Sequence, residues 1–343
     1  MSDHLLLIPG TSGNKLLLDG VDLGWPGLLS AEAWLCGANV FDVMLAKLGV
    51  STEELIAVLS MEFADVNSAA PTKTTLKAGS AVAPGAVLGA AYNQFQDATP
   101  FTYDWRSDLR DNAQKLLTFL ETNKPTGGKW KIVAHSQGGL LVPIAAHLAG
   151  VRGGVTNASA FSALVSHVGF CAVPFHGCIN AADALANGSG LAADFQGAFR
   201  KVVATWPAIY QMLASYPGSA PNATLLDAVA WPAGVVDPAL LARAADTHRT
   251  YFRFPLVFLN GVKVRISLSM GHPTHDAASF VGTTLLPSGQ EPGDTLVPYT
   301  STTAAMTDAE RQAVLGFHGP TAEHSLLLND PAVASDLRQF LAS

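Results

Sequence analysis

The stretch Ala134-His135-Ser136-Gln137-Gly138-Gly139 sets a serine among small residues, with a short apolar run before it and a helical pattern after it. A serine at such a strand–turn–helix junction sits in a strained turn with its hydroxyl presented outward, the arrangement called a nucleophile elbow. The turn closes only if its flanking residues are small. Gly138 supplies one, and Ala134 stands two positions before the serine, where glycine is more usual. The N-terminus of the following helix adds a field that favours negative charge. An ordinary Ser-Gly turn is the plain alternative, and the strand and helix around it argue for the elbow.

A serine hydroxyl is barely ionised at neutral pH and needs a base. The chain has ten histidines, two of them, His318 and His324, in the final loop. His324 directly precedes the run Leu326–Leu328 and the last helix, which makes it the favoured base, with His318 the runner-up. An acid must then hold the imidazole tautomer and stabilise the imidazolium. The turn Glu291-Pro292-Gly293-Asp294 delivers Asp294; Asp276, in His272-Pro273-Thr274-His275-Asp276, is the second candidate. That second stretch also has the look of a metal site, but His-x-x-His-Asp in a loop is weak support for one. No metal or other cofactor is expected. A tetrahedral oxyanion needs two backbone donors. Gln137, next after the serine, offers one. The turn Pro9-Gly10-Thr11-Ser12-Gly13 offers the other through Thr11.

These residues lie far apart in sequence, so a scaffold must gather them. Leu5–Ile8, Lys131–Ala134, His167–Val173 and Pro255–Leu259 are short apolar runs and read as buried strands. Leu109, Ala113, Leu116, Leu117 and Leu120 fall on one face of a helix. Gly138–Gly150 reads as a helix kinked at Pro143. Asn39–Leu48 is helical with Gly49 as its C-cap, and Ser51 with Glu54 forms a capping box for a helix through Leu59. Residues 67–90 read as surface loop. Asp330-Pro331 opens a last helix with Val333, Leu337, Phe340 and Leu341 on one face. Strands alternating with helices predict a parallel sheet with helices on both faces. With the elbow, and with Ser136, Asp294 and His324 in that chain order, the expected class is the α/β-hydrolase fold. Residues 176–253 show no clear strand and are expected to form a helical lid or cap inserted into a core of residues 1–175 and 254–343. Its apolar residues, Ile209 and Met212 among them, are candidates to line an acyl pocket. Glycines 188 and 190 and prolines 207, 217 and 221 suggest hinges in a mobile lid.

Composition sets the outer bounds. The 343 residues suit one large α/β domain with an insertion. Hydrophobic residues make up 49%, enough for a substantial core, and charged ones only 14%, which points to exposed apolar patches or extensive burial. Twenty basic and 27 acidic side chains leave a formal charge of −7, which argues against nucleic acid or an anionic membrane as the main partner. No secretory leader pattern opens the sequence and no apolar run reaches about 18 residues, so a soluble cytoplasmic chain is expected. Three cysteines, Cys36, Cys171 and Cys178, are an odd count and predict free thiols. The sequons at Asn157, Asn187 and Asn222 carry no meaning without a secretory route.

Several segments resemble one family. Leu7-Ile8-Pro9-Gly10-Thr11-Ser12-Gly13-Asn14-Lys15-Leu16 resembles the opening strand and oxyanion turn of lecithin:cholesterol acyltransferase-like enzymes. Tyr103-Asp104-Trp105-Arg106 matches that family's Tyr-Asp-Trp-Arg segment, and His135-Ser136-Gln137-Gly138-Gly139 resembles its elbow. The run from Trp206 to Leu213 resembles part of its lid, and Ala322-Glu323-His324-Ser325 its catalytic-histidine loop. The resemblance spans nearly the whole chain and implies acyl-ester chemistry, as in lysosomal phospholipase A2 and bacterial lipase-like esterases. The expected activity is cleavage of lipid-like carboxylic esters through an acyl-enzyme on Ser136, at a transient membrane or micelle interface. Transfer to an alcohol acceptor is the alternative, since both reactions share the acyl-enzyme. The chain departs from the family where Gly293-Asp294-Thr295-Leu296-Val297-Pro298 replaces Gly-Asp-Gly-Thr-Val-Pro, and Cys36 has no neighbour to copy the disulfide of secreted members. A non-catalytic binding module of the same fold is the reading from another class. Such modules usually lose part of the triad, whereas all three members are present here. Asp104 and Arg106 read as a buried structural ion pair, with bracing of the site or the lid as the alternative.

Overall fold

The computed structural model describes residues 4–11, 14–18, 21–22, 76–81, 92–152, 157, 159–188, 196–318 and 322–343. The helices expected within 39–59, and Cys36, lie outside them. Six strands build the central sheet: β1 (His4–Ile8), β2 (Thr99–Pro100), β3 (Trp130–His135), β4 (Val165–Cys171), β5 (Lys263–Ser269) and β6 (Leu315–His318). They lie in the order β6-β5-β4-β3-β1-β2 and every neighbouring pair is parallel. The flanking helices needed below are α1 (Leu109–Thr122), α2 (Gln137–Gly150), α3 (Ile179–Asn187), α4 (Pro238–Thr247) and α5 (Pro331–Ala342).

A parallel sheet of this kind is buried on both faces, which is why its strands read as continuous apolar runs. The period of two divides each strand between two cores. Leu6 and Ile8 of β1 join Ile132 and Ala134 of β3 in one core, under α1 and α2. Leu7 and Val133 point the other way, to a core closed by Val333, Leu337 and Leu341 of α5. The five apolar positions read along α1 are all buried, and the Asp108 carboxylate accepts the Arg110 amide as its cap. Asp330 caps α5 in the same way through the amides of Ala332 and Val333. Ser136 is the N-cap of α2, which is unbroken through Pro143.

Two expectations give way. Pro255–Leu259 forms a 3₁₀ turn, and the fifth sheet strand begins later, at Lys263. Pro255 has no N–H for a ladder, and its fixed φ suits the first residue of a helical turn. Residues 67–90 are not all loop: Leu76–Ala81 is a strand, paired antiparallel with Asn14–Leu18. Its small residues show no apolar period, so only the distant partner makes it a strand.

Between β4 and β5 the chain runs through α3, the short helices Gln196–Val203 and Pro207–Tyr210, and α4. Among the described residues of 176–253 there is no strand, only isolated bridges between Cys178 and Leu213 and between Ala220 and Ala223. After β5 come two small antiparallel pairs. Ala277–Val281 pairs with Thr284–Ser288, and His272–Thr274 pairs with Glu291–Gly293, which leads straight into Asp294.

Candidate active site

Ser136 has φ 51° and ψ −131°, a conformation that residues with a Cβ avoid and that stores strain where structure enforces it. Enforcement comes from its neighbours. The Ser136 N–H donates to the Cys171 carbonyl at 2.9 Å, and its own carbonyl accepts the Gly139 N–H at 2.9 Å. A Cβ on Gly138 would stand 2.3 Å from the Pro9 carbonyl oxygen, and one on Gly10 would stand 2.8 Å from the Ser136 Cβ. Glycine at these two positions lets the turn after β1 lie directly against the serine.

The structure brings His324 and Asp294 to this serine. His324 Nε2 lies 2.8 Å from Ser136 Oγ, and His324 Nδ1 lies 2.8 Å from Asp294 Oδ2. The remaining carboxylate oxygen, Oδ1, accepts the amides of Val297 at 2.7 Å and Leu296 at 3.1 Å. Burial pushes the Asp294 carboxyl up, but the neighbouring imidazole and the two amides outweigh it and hold it below the usual carboxylate range. His318 ends β6 opposite Ser269, and its side chain is outside the described residues. Asp276 belongs elsewhere, beside Gly289, with its Oδ1 buried and unpartnered. Among the described residues no group of three or more His, Cys, Asp or Glu side chains is arranged to hold a metal.

The turn after β1 reaches the serine with its donors sorted. The Gly10 N–H is taken by the Tyr92 hydroxyl at 3.0 Å. Among the described residues the amides of Thr11 and Gln137 have no acceptor in the protein. Side chains fix both. Thr11 Oγ1 donates to Gln137 Oε1 at 2.6 Å, Gln137 Nε2 donates to the Trp105 carbonyl at 2.8 Å, and Tyr103 Oη donates to the Pro9 carbonyl at 2.9 Å. The Tyr103-Asp104-Trp105-Arg106 segment therefore braces the turn. It is itself locked by Arg106, fully buried, which meets Asp104 with Nε–Oδ1 2.9 Å and Nη2–Oδ2 2.7 Å.

A cavity of about 230 Å³ opens over Ser136 and His324. Its apolar walls include Pro174, Ala181, Ile209, Met212, Leu296 and Val297. The turn carrying Ile209 and Met212 is bonded to its surroundings at several points. The Ala208 N–H donates to the Arg106 carbonyl at 3.2 Å. Gln211, wholly buried, accepts the Leu109 amide at 2.8 Å and donates to Asp108 and Thr247 at 3.0 Å each. The Gln211 carbonyl accepts from His248 at 2.8 Å, and the Met212 carbonyl accepts the Cys178 amide at 2.8 Å. Pro207 is the first residue of the helix Pro207–Tyr210.

Sequence reading left three groups without a role: Tyr92, His135 and the Gln137 side chain. His135 had a signal, since strand parity sets it on the face of Val133 and away from solvent. Tyr92 had none, because it meets the site only through tertiary contact.

A six-stranded parallel sheet, with a strained serine after β3, an aspartate after β5 and a histidine after β6, is the α/β-hydrolase fold. Comparison with one solved structure agrees on the fold. A chain of the crystal structure of a Tle4–Tli4 complex superposes with a TM-score of 0.62 over 99% of this chain and 98% of that one, at 12% identity. Bacillus licheniformis lipase BlEst2 in mature form matches at TM-score 0.41 and 16% identity, over 74% of this chain and 82% of that one. No protein-family model matches the sequence, and no curated protein does.

Two substitutions test the supports of the site. Asp104→Ala strips the bidentate carboxylate from a buried guanidinium and should cost about 3–5 kcal/mol in chemical denaturation. A loss under about 1 kcal/mol, the value of a surface pair, would show that the pair is not structural. Thr295 is exposed and has φ 84°, where the resembled family has glycine. Its N–H donates to Thr274 Oγ1 at 2.9 Å, a bond that any residue there keeps. Relief of a left-handed β-branched residue outweighs the added freedom of glycine in the unfolded chain. Thr295→Gly should therefore raise stability by about 1 kcal/mol, and a fall in melting temperature would refute the strain.

Proposed function

We propose that this chain is a serine hydrolase of carboxylic esters in the lecithin:cholesterol acyltransferase-like branch, with Ser136 as nucleophile, His324 as base and Asp294 as its acid. One observation carries the proposal: the unbroken path from Ser136 Oγ to His324 Nε2 and from His324 Nδ1 to Asp294 Oδ2, each contact 2.8 Å. In the proposed reaction His324 Nε2 takes the hydroxyl proton as Ser136 attacks the ester carbonyl. Asp294 accepts the Nδ1 proton in a hydrogen bond, which fixes the tautomer and steadies the imidazolium. The amides of Thr11 and Gln137 receive the oxyanion. They are fixed before the reaction, so their dipoles need no reorganisation as charge develops. His324 then protonates the leaving alcohol, and water, activated by the same histidine, resolves the acyl-enzyme.

The apolar cavity supports a lipid-like acyl group, since each methylene moved from water into it contributes about 0.8 kcal/mol. The bonds that tie down the 207–213 turn favour a fixed cap there over a mobile lid. Chain preference is then a matter of fit against Ile209 and Met212.

The test is a panel of p-nitrophenyl esters of graded chain length, with fluorophosphonate labelling read by mass spectrometry. Ser136→Ala and His324→Ala should each lose about 10⁴–10⁶ in turnover, the double variant no more than either, and Asp294→Asn somewhat less. Met212→Asp should cut turnover of long esters more than of short ones. Substantial activity in Ser136→Ala refutes the nucleophile. Equal wild-type rates on short and long esters refute the lipid-like preference and leave a small-ester esterase.

A further inference from the structure

Beside Ser136 a chain of hydrogen bonds runs in one direction only. The Gly10 N–H donates to the Tyr92 hydroxyl oxygen at 3.0 Å, so the Tyr92 proton is free to go to His135 Nδ1, 3.1 Å away. His135 then carries its own proton on Nε2, which donates to the backbone carbonyl of His324 at 3.1 Å. A charged His135 would break this order, because two donors would face Tyr92 and its proton would have no acceptor. Burial agrees with the geometry. It pushes the Tyr92 phenol well above its ordinary value and the His135 imidazole down to about 3, so both stay neutral near neutral pH.

Both ends of the chain are backbone groups of the proposed reaction site. Gly10 precedes Thr11, a proposed oxyanion donor. The His324 backbone is held on both sides, its carbonyl by His135 and its N–H by the Asp294 carbonyl at 2.8 Å. Tyr92 belongs to an apolar cluster with Leu7, Val133 and Cys171. Packing alone would be served there by apolar rings, without the cost of burying a phenol and an imidazole.

We propose that Tyr92 and His135 are positioning residues for the reaction at Ser136, setting the Thr11 amide and the His324 imidazole at a fixed separation around the serine. The proposal rests on the reading of Ser136 and His324 as nucleophile and base. Neither Tyr92 nor His135 exchanges a proton with substrate. Each acts by holding another group in place.

The test uses the full chain and a soluble p-nitrophenyl ester. Tyr92→Phe keeps the ring and removes the hydroxyl. It should lower kcat per folded molecule about tenfold or more, since sub-ångström misplacement of reacting groups is costly, while KM stays within about twofold. His135→Asn retains an acceptor for Tyr92 but no donor for His324. His135→Gln extends a donor towards the Nε2 position. The glutamine variant should retain more kcat than the asparagine variant at matched melting temperature. ¹⁵N NMR of the unmodified protein supplies a readout that needs no variant: His135 should be the neutral Nε2–H tautomer at pH 6. Three results each overturn the proposal: a charged or Nδ1–H His135, a kcat per folded molecule within about twofold of wild type in both Tyr92→Phe and His135→Asn, or a loss carried by KM alone. The wild-type and Ser136→Ala controls separate the two levels. A wild type without esterase activity overturns the functional reading and this proposal together, whereas an active wild type with unaffected Tyr92 and His135 variants overturns the positioning role alone.

Discussion

The backbone of Ser136, held at φ 51°, is the constraint from which the rest of the site follows. A non-glycine residue in such a conformation costs on the order of 1–3 kcal/mol and persists only where its surroundings over-determine it. Here β4 takes the serine amide through Cys171, while α2 starts at once and binds the serine carbonyl through Gly139. The sharp turn projects Oγ above the carboxyl edge of the sheet. It also brings α2 within close reach of the chain leaving β1, which is why Gly138 faces the Pro9 carbonyl with no room for a methyl group. Pairing of Ile8 with Ala134 puts the end of β1 level with the elbow, so the sheet order itself supplies the proposed oxyanion turn.

Charge in this region is settled by burial and by partners. His135 and His324 have ring centroids 5.1 Å apart, and two imidazolium ions at that distance would repel. Burial holds His135 neutral, so the cation proposed to form on His324 meets a dipole instead of a like charge. His176 and His248 are likewise pushed down by burial, to about 4 and about 3, and share the Ser215 hydroxyl between their Nδ1 atoms. Of these four buried or half-buried imidazoles, His324 has a carboxylate within hydrogen-bonding distance, and that carboxylate is held ionised.

The meeting of Ser136, Asp294 and His324 was legible in the sequence because Ser136 and Asp294 directly follow strands, while an apolar run and a capped last helix follow His324. The same local signals misled at Pro255–Leu259, whose apolar run is as short as a strand but starts with a residue that cannot donate to a ladder. Leu76–Ala81 was hidden for the opposite reason: it has no local signal, and its pairing with Asn14–Leu18 is a long-range event. Thr295 lies between these cases. The sequence marks the missing glycine, and the backbone keeps the left-handed turn anyway, because Asp294 and Thr274 both accept amides from it. Tyr92 could not be read at all, since nothing near it in the chain points to Gly10 or His135.

Residues 103–109 join two tasks that the proposed ester hydrolysis must coordinate. On one side, Tyr103 binds the Pro9 carbonyl and Trp105 binds the Gln137 side chain, which fixes the proposed oxyanion donors. On the other, the Arg106 carbonyl holds the Ala208 amide and the Leu109 amide holds Gln211, which fixes the wall that carries Ile209 and Met212. Trp105 also stands edge-on to Trp206 with ring centroids 5.4 Å apart, which adds a packed contact between the same two sides. The distance from this apolar wall to the proposed oxyanion donors is thus set by one short segment stiffened by the Asp104–Arg106 pair. In the proposed reaction an acyl chain that fills this wall presents its carbonyl to donors that are already in place. Binding energy gained far from the ester bond can then be expressed at the reacting carbon, where it lowers the barrier, instead of being lost to reorganisation of the cap.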